Sequence, residues 1–514
     1  MPTSPADRFD VVVVGAGPAG LAAAGSAGAG GARVAVIDSN VRPGGQYWRH
    51  RDDDDGRAHA GWPDFQRLRA AAEHSGRVSF HHGAALWQIE TVGDEHFRLH
   101  TVTEDGEWVV SGRTVVLAPG AYDRQLPFPG WTLPGVYTAG GVQALLKGQG
   151  VLAGSRIAVA GTGPFLVAVA AGLAQAGASV VGVFEAGTVP LSFARHPVTL
   201  ARNTGKLREA AHYTSVLARH RIPYRTGTAV IAAHGTDGVT GVQVARVDRN
   251  WQVVPGTGRR IDCDTLAVGY GFTPQLELAV QLGCATAMDA DGSLIAVVDD
   301  DQRSSVPGVY VAGEATGVGG AQLAVAEGRI AGAAAARAAG GSAMPAGDRK
   351  RLGRTRSAQR LFAAALHEGY PVRPGWMTWV EPDTTVCRCE EVSVGAISGA
   401  IADLGATDPR AVKLYARPGM GLCQGKVCGY ATACLVAGQS GRAVTQADLQ
   451  GLASRPIAQP VTLGALAAEH HRSTAAETAP PDAAAPATAV PDTAVPDSEV
   501  PDTAVHITKG SSDA

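Results

Sequence analysis

The chain has 514 residues, 45% hydrophobic and 18% charged, and its 44 Lys+Arg against 47 Asp+Glu leave a formal net charge of -3. At roughly 150 residues per domain there is room for several domains and a sizeable core, and the near-balanced charge offers no basic field to recruit nucleic acid or an anionic membrane surface. Glycine supplies 66 residues, close to twice the usual share of about 7%, which points to tight turns and to places where backbone approaches something closely.

The N-terminus passes from Met1-Pro-Thr-Ser-Pro-Ala-Asp-Arg8 straight into an apolar run. With no basic stretch and no small-residue cleavage site, no export signal is read and a cytoplasmic location is expected. Asp10-Val-Val-Val-Val14 reads as a buried strand, Gly15-Ala-Gly-Pro-Ala-Gly20 as a turn, Leu21 to about Gly28 as a helix and Arg33-Val-Ala-Val-Ile37 as a second strand, which together make a βαβ unit. Residues 77–118 alternate short apolar runs with turn signals and end at Thr114-Val-Val-Leu-Ala-Pro-Gly-Ala121, predicting a small sheet that returns to the core. Ile157 to Phe184 carries no charge and is long enough to span a bilayer, but Gly161-Thr-Gly-Pro164 and Ala176-Gly-Ala-Ser179 divide it. It therefore reads as strand, turn, helix and strand, and no transmembrane segment is predicted. Residues 221–268 repeat the sheet-and-return pattern. Gly308-Val-Tyr-Val-Ala-Gly-Glu314 then brings the chain back to the first unit, followed by an Ala-rich helix from about Gln322 to Ala338.

This order predicts an α/β protein with two Rossmann-like, three-layer dinucleotide-binding domains, the second inserted in the first. The first occupies 1–125 and 266–340 and the second 126–265; a linker and helix follow over 341–382. A Cys-rich module with a C-terminal arm takes 383–466. From 467 to 514 the sequence turns to Pro, Ala, Thr and Asp with near-repeats such as Pro491-Asp-Thr-Ala-Val. It lacks the apolar side chains needed to offset ordering entropy and is expected to be disordered.

Two glycine loops carry the nucleotide chemistry. Gly15, Gly17 and Gly20 permit the tight turn and the approach of a pyrophosphate to a helix N-terminus, whose free N–H groups and dipole favour negative charge, and Asp38 at the end of the second strand can accept from a ribose. In the second loop Gly161 and Gly163 are followed by Leu166 where a third glycine would stand, with Glu185 closing the next strand. That loop could bind NAD(P), another adenine nucleotide, or nothing.

Cysteine spacing carries the rest. Cys387-Arg-Cys389 and Cys423-Gln-Gly-Lys-Val-Cys428 offer four thiolates from two loops, enough to wrap a [2Fe-2S] cluster with two per iron. Structural zinc is the alternative, but zinc knuckles favour CxxC and neither pair has that spacing. Cys434 falls on the following helix, outside the ligand set. The first cysteine of the chain is Cys263, so a dithiol relay after the first βαβ unit is ruled out, and Cys263 and Cys284 read as buried core thiols.

Gly15 to Gly20, the Ala118-Pro-Gly-Ala121 return loop and Gly308 to Glu314 together resemble the two-dinucleotide-domain flavoproteins over roughly residues 8–340. The resemblance implies FAD on the first unit. Gly120 would lie in the return loop, and Gly44, Gly45 and Gln46 of Arg42-Pro-Gly-Gly-Gln-Tyr-Trp48 would run along the flavin. Gly313 and Glu314 would supply an acidic side chain to the ribityl chain, with Glu standing where Asp is commoner, and the helix behind them would aim its N-terminus at the isoalloxazine ring. Cys387-Arg-Cys-Glu-Glu-Val392 and Arg417-Pro-Gly-Met-Gly-Leu-Cys-Gln-Gly-Lys-Val-Cys-Gly429 resemble the small helical [2Fe-2S] domain of bacterioferritin-associated ferredoxin.

The whole order, ending in Arg455-Pro-Ile-Ala-Gln-Pro-Val-Thr-Leu463, resembles the larger subunits of dye-linked amino-acid and opine dehydrogenases, among them hydrogen cyanide synthase and proline and hydroxyproline dehydrogenase subunits. The resemblance implies an FAD- and [2Fe-2S]-dependent electron-transfer subunit. Its partner would be an amino-acid-oxidase-like flavoprotein that oxidises a small amine or amino acid, and the resemblance leaves open an FMN at the subunit interface. No side chain here is assigned an acid or base role. The alternative is a self-sufficient NAD(P)H:acceptor oxidoreductase using the second loop.

Overall fold

Val11 to Val14 pair on one side with Val34 to Ile37 and on the other with Thr114 to Leu117, all in parallel. Strands covered on both faces read as continuous apolar runs, which is why these segments are valine-rich throughout. The computed structural model describes residues 7–93, 96–188 and 204–467. The tail expected to be disordered from about 470 lies outside the described residues.

The first sheet runs Val78–His82, Val34–Asp38, Arg8–Val14, Gly106–Leu117, His96–Thr103, Ala85–Val92, and Val309–Val311 also pairs with Gly106–Leu117. The long strand Gly106–Leu117 does two jobs. Its first half is antiparallel to His96–Thr103 and its second half is parallel to both Arg8–Val14 and Val309–Val311. The helix Pro18–Ala29 packs against Ala321–Ala338 with almost no side chain between them: a Cβ on Gly328 would fall 2.0 Å from Ala19 O, and one on Gly332 2.0 Å from Ala23 O. This backbone contact fixes the glycine loop at Gly15 relative to the segment at Gly313.

The second sheet, Tyr224–Thr226, Ser179–Glu185, Arg156–Gly161, Thr265–Gly269 and Val136–Thr138, is entirely parallel. Helix Phe165–Gln175 lies between Arg156–Gly161 and Ser179–Glu185, so the uncharged stretch is strand, turn, helix and strand as read from its glycines. Among the described residues no helix is long and apolar enough to cross a membrane. The chain's exit from the first sheet and its return pair with each other, Ala121–Asp123 against Phe272–Pro274, with Tyr122 opposite Thr273.

The Cys-rich module is a short hairpin, Thr385–Cys387 with Val392–Ser393, and the helices Val394–Ala402, Pro409–Ala416, Gly429–Gln439 and Gln446–Ala453. It is wedged against both nucleotide domains. Trp251, Trp376, Trp379, Cys387, Val412, Cys428 and Leu435 share one core with the second domain, and Leu449, Leu452 and Ala458 share another with Leu276, Leu278 and Leu294. Indole N–H groups seal the seam, Trp379 to Trp251 O at 2.9 Å and Trp131 to Thr385 O at 2.6 Å. Residues 341–382 thus hold the helix Ala346–Gly369 and, in Trp376 and Trp379, part of that shared core.

Candidate functional site

The first glycine loop is tight on the chain side and open on the other. Gly15 sits at φ +97°, a conformation that glycine adopts at little cost, and a Cβ there would meet Ala118 O at 2.3 Å. A Cβ on Gly20 would meet Gly15 O at 1.7 Å, whereas at Gly17 the nearest foreign atom is Gly45 Cα at 3.9 Å. Gly17 caps helix Pro18–Ala29 with no side-chain hydrogen bond, so the first-turn N–H groups are left for a ligand, the arrangement a pyrophosphate uses. Asp38 is buried; one carboxylate oxygen accepts from Ala16 N–H and the other from Asn40 N and Nδ2, both at 2.7 Å. Carboxylate oxygens have further lone pairs, so a ribose contact stays compatible with these bonds.

Of the other residues expected along the flavin, Gly45 lies against this loop and Gly313 against the helix that follows it. Gly44 donates to Ala16 O at 2.8 Å, which seats Gly45 directly against Gly17, while Gln46 is exposed. Gly120, at φ +85°, has open space where a side chain would project. Gly313 N–H donates to Glu327 Oε2 at 3.0 Å, and the Glu314 carboxylate accepts from Gly319 N at 3.1 Å and Gly320 N at 2.8 Å, at the N-terminus of helix Ala321–Ala338. Burial pushes the Glu314 carboxyl up to about 7 despite those two donors. Sequence reasoning missed the support behind it. Fully buried Glu327 receives Thr316 Oγ1 at 3.0 Å and is bridged by Arg360, which also donates to Thr316 and, at 3.1 Å, to Gly317 O. Burial raises the Glu327 carboxyl, with Arg360 opposing.

The second loop differs in detail. A Cβ on Gly161 would lie 1.8 Å from Gly269 O, and Gly163 again faces open space. Glu185 has no exposed surface and accepts from Gly163 N and Gly187 N, each at 2.8 Å; burial raises its carboxyl. Leu166 does not push the helix off the sheet, because the strand opposite carries Gly269, where a Cβ would stand only 3.2 Å from Leu166 Cδ2. The missing glycine of the loop has its counterpart in the neighbouring strand.

The cysteines meet in pairs, Cys387 beside Cys428 and Cys389 beside Cys423. Gly419 N–H points at Cys387 Sγ at 3.4 Å, and the Cys428 thiol, with the N–H groups of Gly419, Glu390 and Cys389, holds Cys387 down at about 5 while Cys428 is pushed up. Gly421 has no room for a side chain, since its Cβ would sit 2.3 Å from Cys389 Cβ. Cys387 and Cys428 are buried and Cys389 is exposed. Cys434 lies on helix Gly429–Gln439 beside Tyr430, its thiol raised to about 11 by burial, and Cys263 and Cys284 are buried. Two thiol pairs from two loops, with N–H groups aimed at sulfur, fit a [2Fe-2S] cluster, and the open ground over Gly17 and Gly120 fits a flavin dinucleotide.

Comparison with known proteins agrees. The family described as "Pyridine nucleotide-disulphide oxidoreductase" matches residues 9–340, and the "BFD-like [2Fe-2S] binding domain" matches 385–437. The chain belongs to the pyridine nucleotide-disulphide oxidoreductase family and is a flavin oxidoreductase with a [2Fe-2S] domain. It is 34% identical to an opine oxidase subunit of Agrobacterium tumefaciens (strain Ach5), covering 92% of this chain and 94% of that one. It is 32% identical to hydrogen cyanide synthase subunit HcnB of Pseudomonas protegens, covering 81% and 89%. The crystal structure of L-proline dehydrogenase from P. horikoshii shares the fold, with TM-score 0.64 and 21% identity over 89% of this chain and 79% of that one.

Proposed function

We propose that this chain is the electron-transfer subunit of a complex in which a partner flavoprotein, similar to amino-acid oxidases, oxidises the C–N bond of an amine, amino acid or opine. The relatives named as subunits of opine oxidase and hydrogen cyanide synthase support a partnered role. The observation that carries the reading is a contact between the two redox loops. Lys426, between Cys423 and Cys428, places its ammonium 5.6 Å over the ring of Tyr122, two residues past Gly120. The loop proposed to face the flavin and the loop proposed to hold the cluster therefore touch.

When bound, FAD exchanges electrons in pairs and a [2Fe-2S] cluster singly, so the two together convert two-electron oxidation into one-electron delivery. In this reading the residues of the chain bind and orient. Gly15, Gly17 and Gly20 bring a pyrophosphate to the helix N-terminus, Asp38 meets the ribose, and Gly44, Gly45, Gln46, Gly120, Gly313 and Glu314 line the flavin. Cys387, Cys389, Cys423 and Cys428 are the cluster ligands. The loop of Gly161, Gly163 and Glu185 is proposed as a seat for NAD(P) or another adenine nucleotide that is held without reacting, and an FMN fits the proposal only where the two subunits meet.

Stopped-flow mixing with NADH tests this against the self-sufficient reductase. No flavin bleaching by NADH alone is expected, and rapid bleaching would favour the reductase.

A further inference from the structure

The segment Arg455-Pro-Ile-Ala-Gln-Pro-Val-Thr-Leu463 follows helix Gln446–Ala453 and crosses from the Cys-rich module to the flavin domain. Ala458 N–H donates to Trp87 O at 2.8 Å, and Gln281 Nε2 donates to Pro456 O at 3.0 Å. The arm grips the cysteine loop from the same side: Ala458 O accepts from Lys426 Nζ at 2.8 Å, and Arg455 folds back to donate through Nη2 to Leu452 O. A Cβ on Gly425 would stand 3.0 Å from Arg455 Nη2, so the guanidinium lies directly on the turn between Cys423 and Cys428.

Arg455 is not neutralised by a close carboxylate. Its Nε is buried and has no hydrogen-bond partner among the described residues, and no ion pair to it is formed there. The charges facing it are Glu277, the Cys428 and Cys423 thiols, the Tyr122 phenol and the cations Lys426 and Lys413. Arg455 as a whole is half-buried, and a partly desolvated cation without a paired anion is favoured by negative charge placed beside it. Among the groups that face it, the Cys423 and Cys428 thiols and whatever they hold belong to the very turn that the guanidinium covers.

We propose that Arg455, with Lys426 beside it, is a potential-setting cation of the iron-sulfur centre. Fixed by the C-terminal arm over the Cys423 to Cys428 turn, it favours the reduced, more negative state. Cluster potential responds to net charge, hydrogen bonding and exposure, and a guanidinium stays charged at any working pH, so its contribution is constant. Arg455 is a positioning residue: it touches the ligand loop and acts through it. The arm thereby sets the direction in which electrons run, from flavin to cluster, and the inference rests on the reading of the four cysteines as cluster ligands.

The test uses full-length protein purified anaerobically, with iron and flavin measured per chain and the cluster midpoint read by EPR-monitored redox titration. Arg455→Gln is expected to keep iron and flavin and to lower the midpoint by about 59 mV or more, a tenfold change in a one-electron equilibrium. Arg455→Lys should restore most of that shift. An unchanged midpoint in Arg455→Gln overturns the proposal. So does a folded, flavin-loaded variant without iron, which would mark a role in assembly, or an equal drop in Arg455→Lys, which would mark shape rather than charge. If Arg455→Gln does not fold, Lys426→Gln decides: a lower midpoint supports the proposal and an unchanged one overturns it. Wild-type protein without iron would instead remove the cluster reading on which the inference stands.

Discussion

Gly17 and Gly45, on separate loops, meet backbone to backbone: a Cβ on Gly45 would lie 2.8 Å from Gly17 Cα. The Pro43 to Gln46 turn is held there by the Gly44 N–H bond to Ala16 O. One turn thus presents a helix N-terminus while the other forms a wall beside it, and neither has a side chain to fill the ground between.

The glycines at this meeting point should therefore fail in different ways. Gly17→Ala has space within the chain and is expected to fold normally but lose most of its flavin, because the methyl takes the pyrophosphate's place. Gly45→Ala should displace the Pro43 to Gln46 turn and lower flavin content as well. Gly20→Ala drives a methyl into Gly15 O and should cost stability itself, about 1–3 kcal/mol or more by overpacking. Flavin-to-protein ratio and thermal melting, measured together, separate these outcomes.

Glu314 gives a pH signature. Its carboxyl is raised from 4.5 to about 7 in the folded chain, so the folded state holds a proton that the unfolded chain releases. Its contribution to stability is fully present below about 4.5 and is lost as pH rises through about 7. Over that window the loss is about 3 kcal/mol. Denaturation of wild type and Glu314→Gln, both freed of flavin, should show a downward slope from pH 5 to 7 that is flatter in the variant. Identical profiles would contradict the assignment.

Anaerobic protein is expected to contain about two irons and two labile sulfides per chain. Cys389→Ser or Cys423→Ser should abolish the cluster signal and leave flavin absorbance. Stoichiometric zinc without iron would contradict the ligand assignment.

Much of this was legible in the sequence because the signals are local. The valine runs with their glycine turns give both βαβ units, and the four cysteines with their glycines give the second redox centre. The missed features join residues distant in sequence. Nothing near Leu166 announces that Gly269 makes room for it, and nothing near Ala19 and Ala23 reveals that Gly328 and Gly332 will lie against them. Arg360 and Glu327 look like ordinary surface charges of two helices until packing closes Glu327 off from water. Arg455 belongs to a motif visible in the sequence, but its place over Gly425 follows from where Gln446–Ala453 ends.

The central claim is that this chain carries electrons taken from a substrate oxidised elsewhere. It is tested most directly by purifying the chain from its native host under mild conditions, identifying what co-elutes, and assaying dye reduction with sarcosine, proline or an opine. The account predicts a stoichiometric amino-acid-oxidase-like companion, activity only when both are present, and full activity after removal of the chain beyond about 470. An isolated monomer that turns over any of these substrates would contradict it.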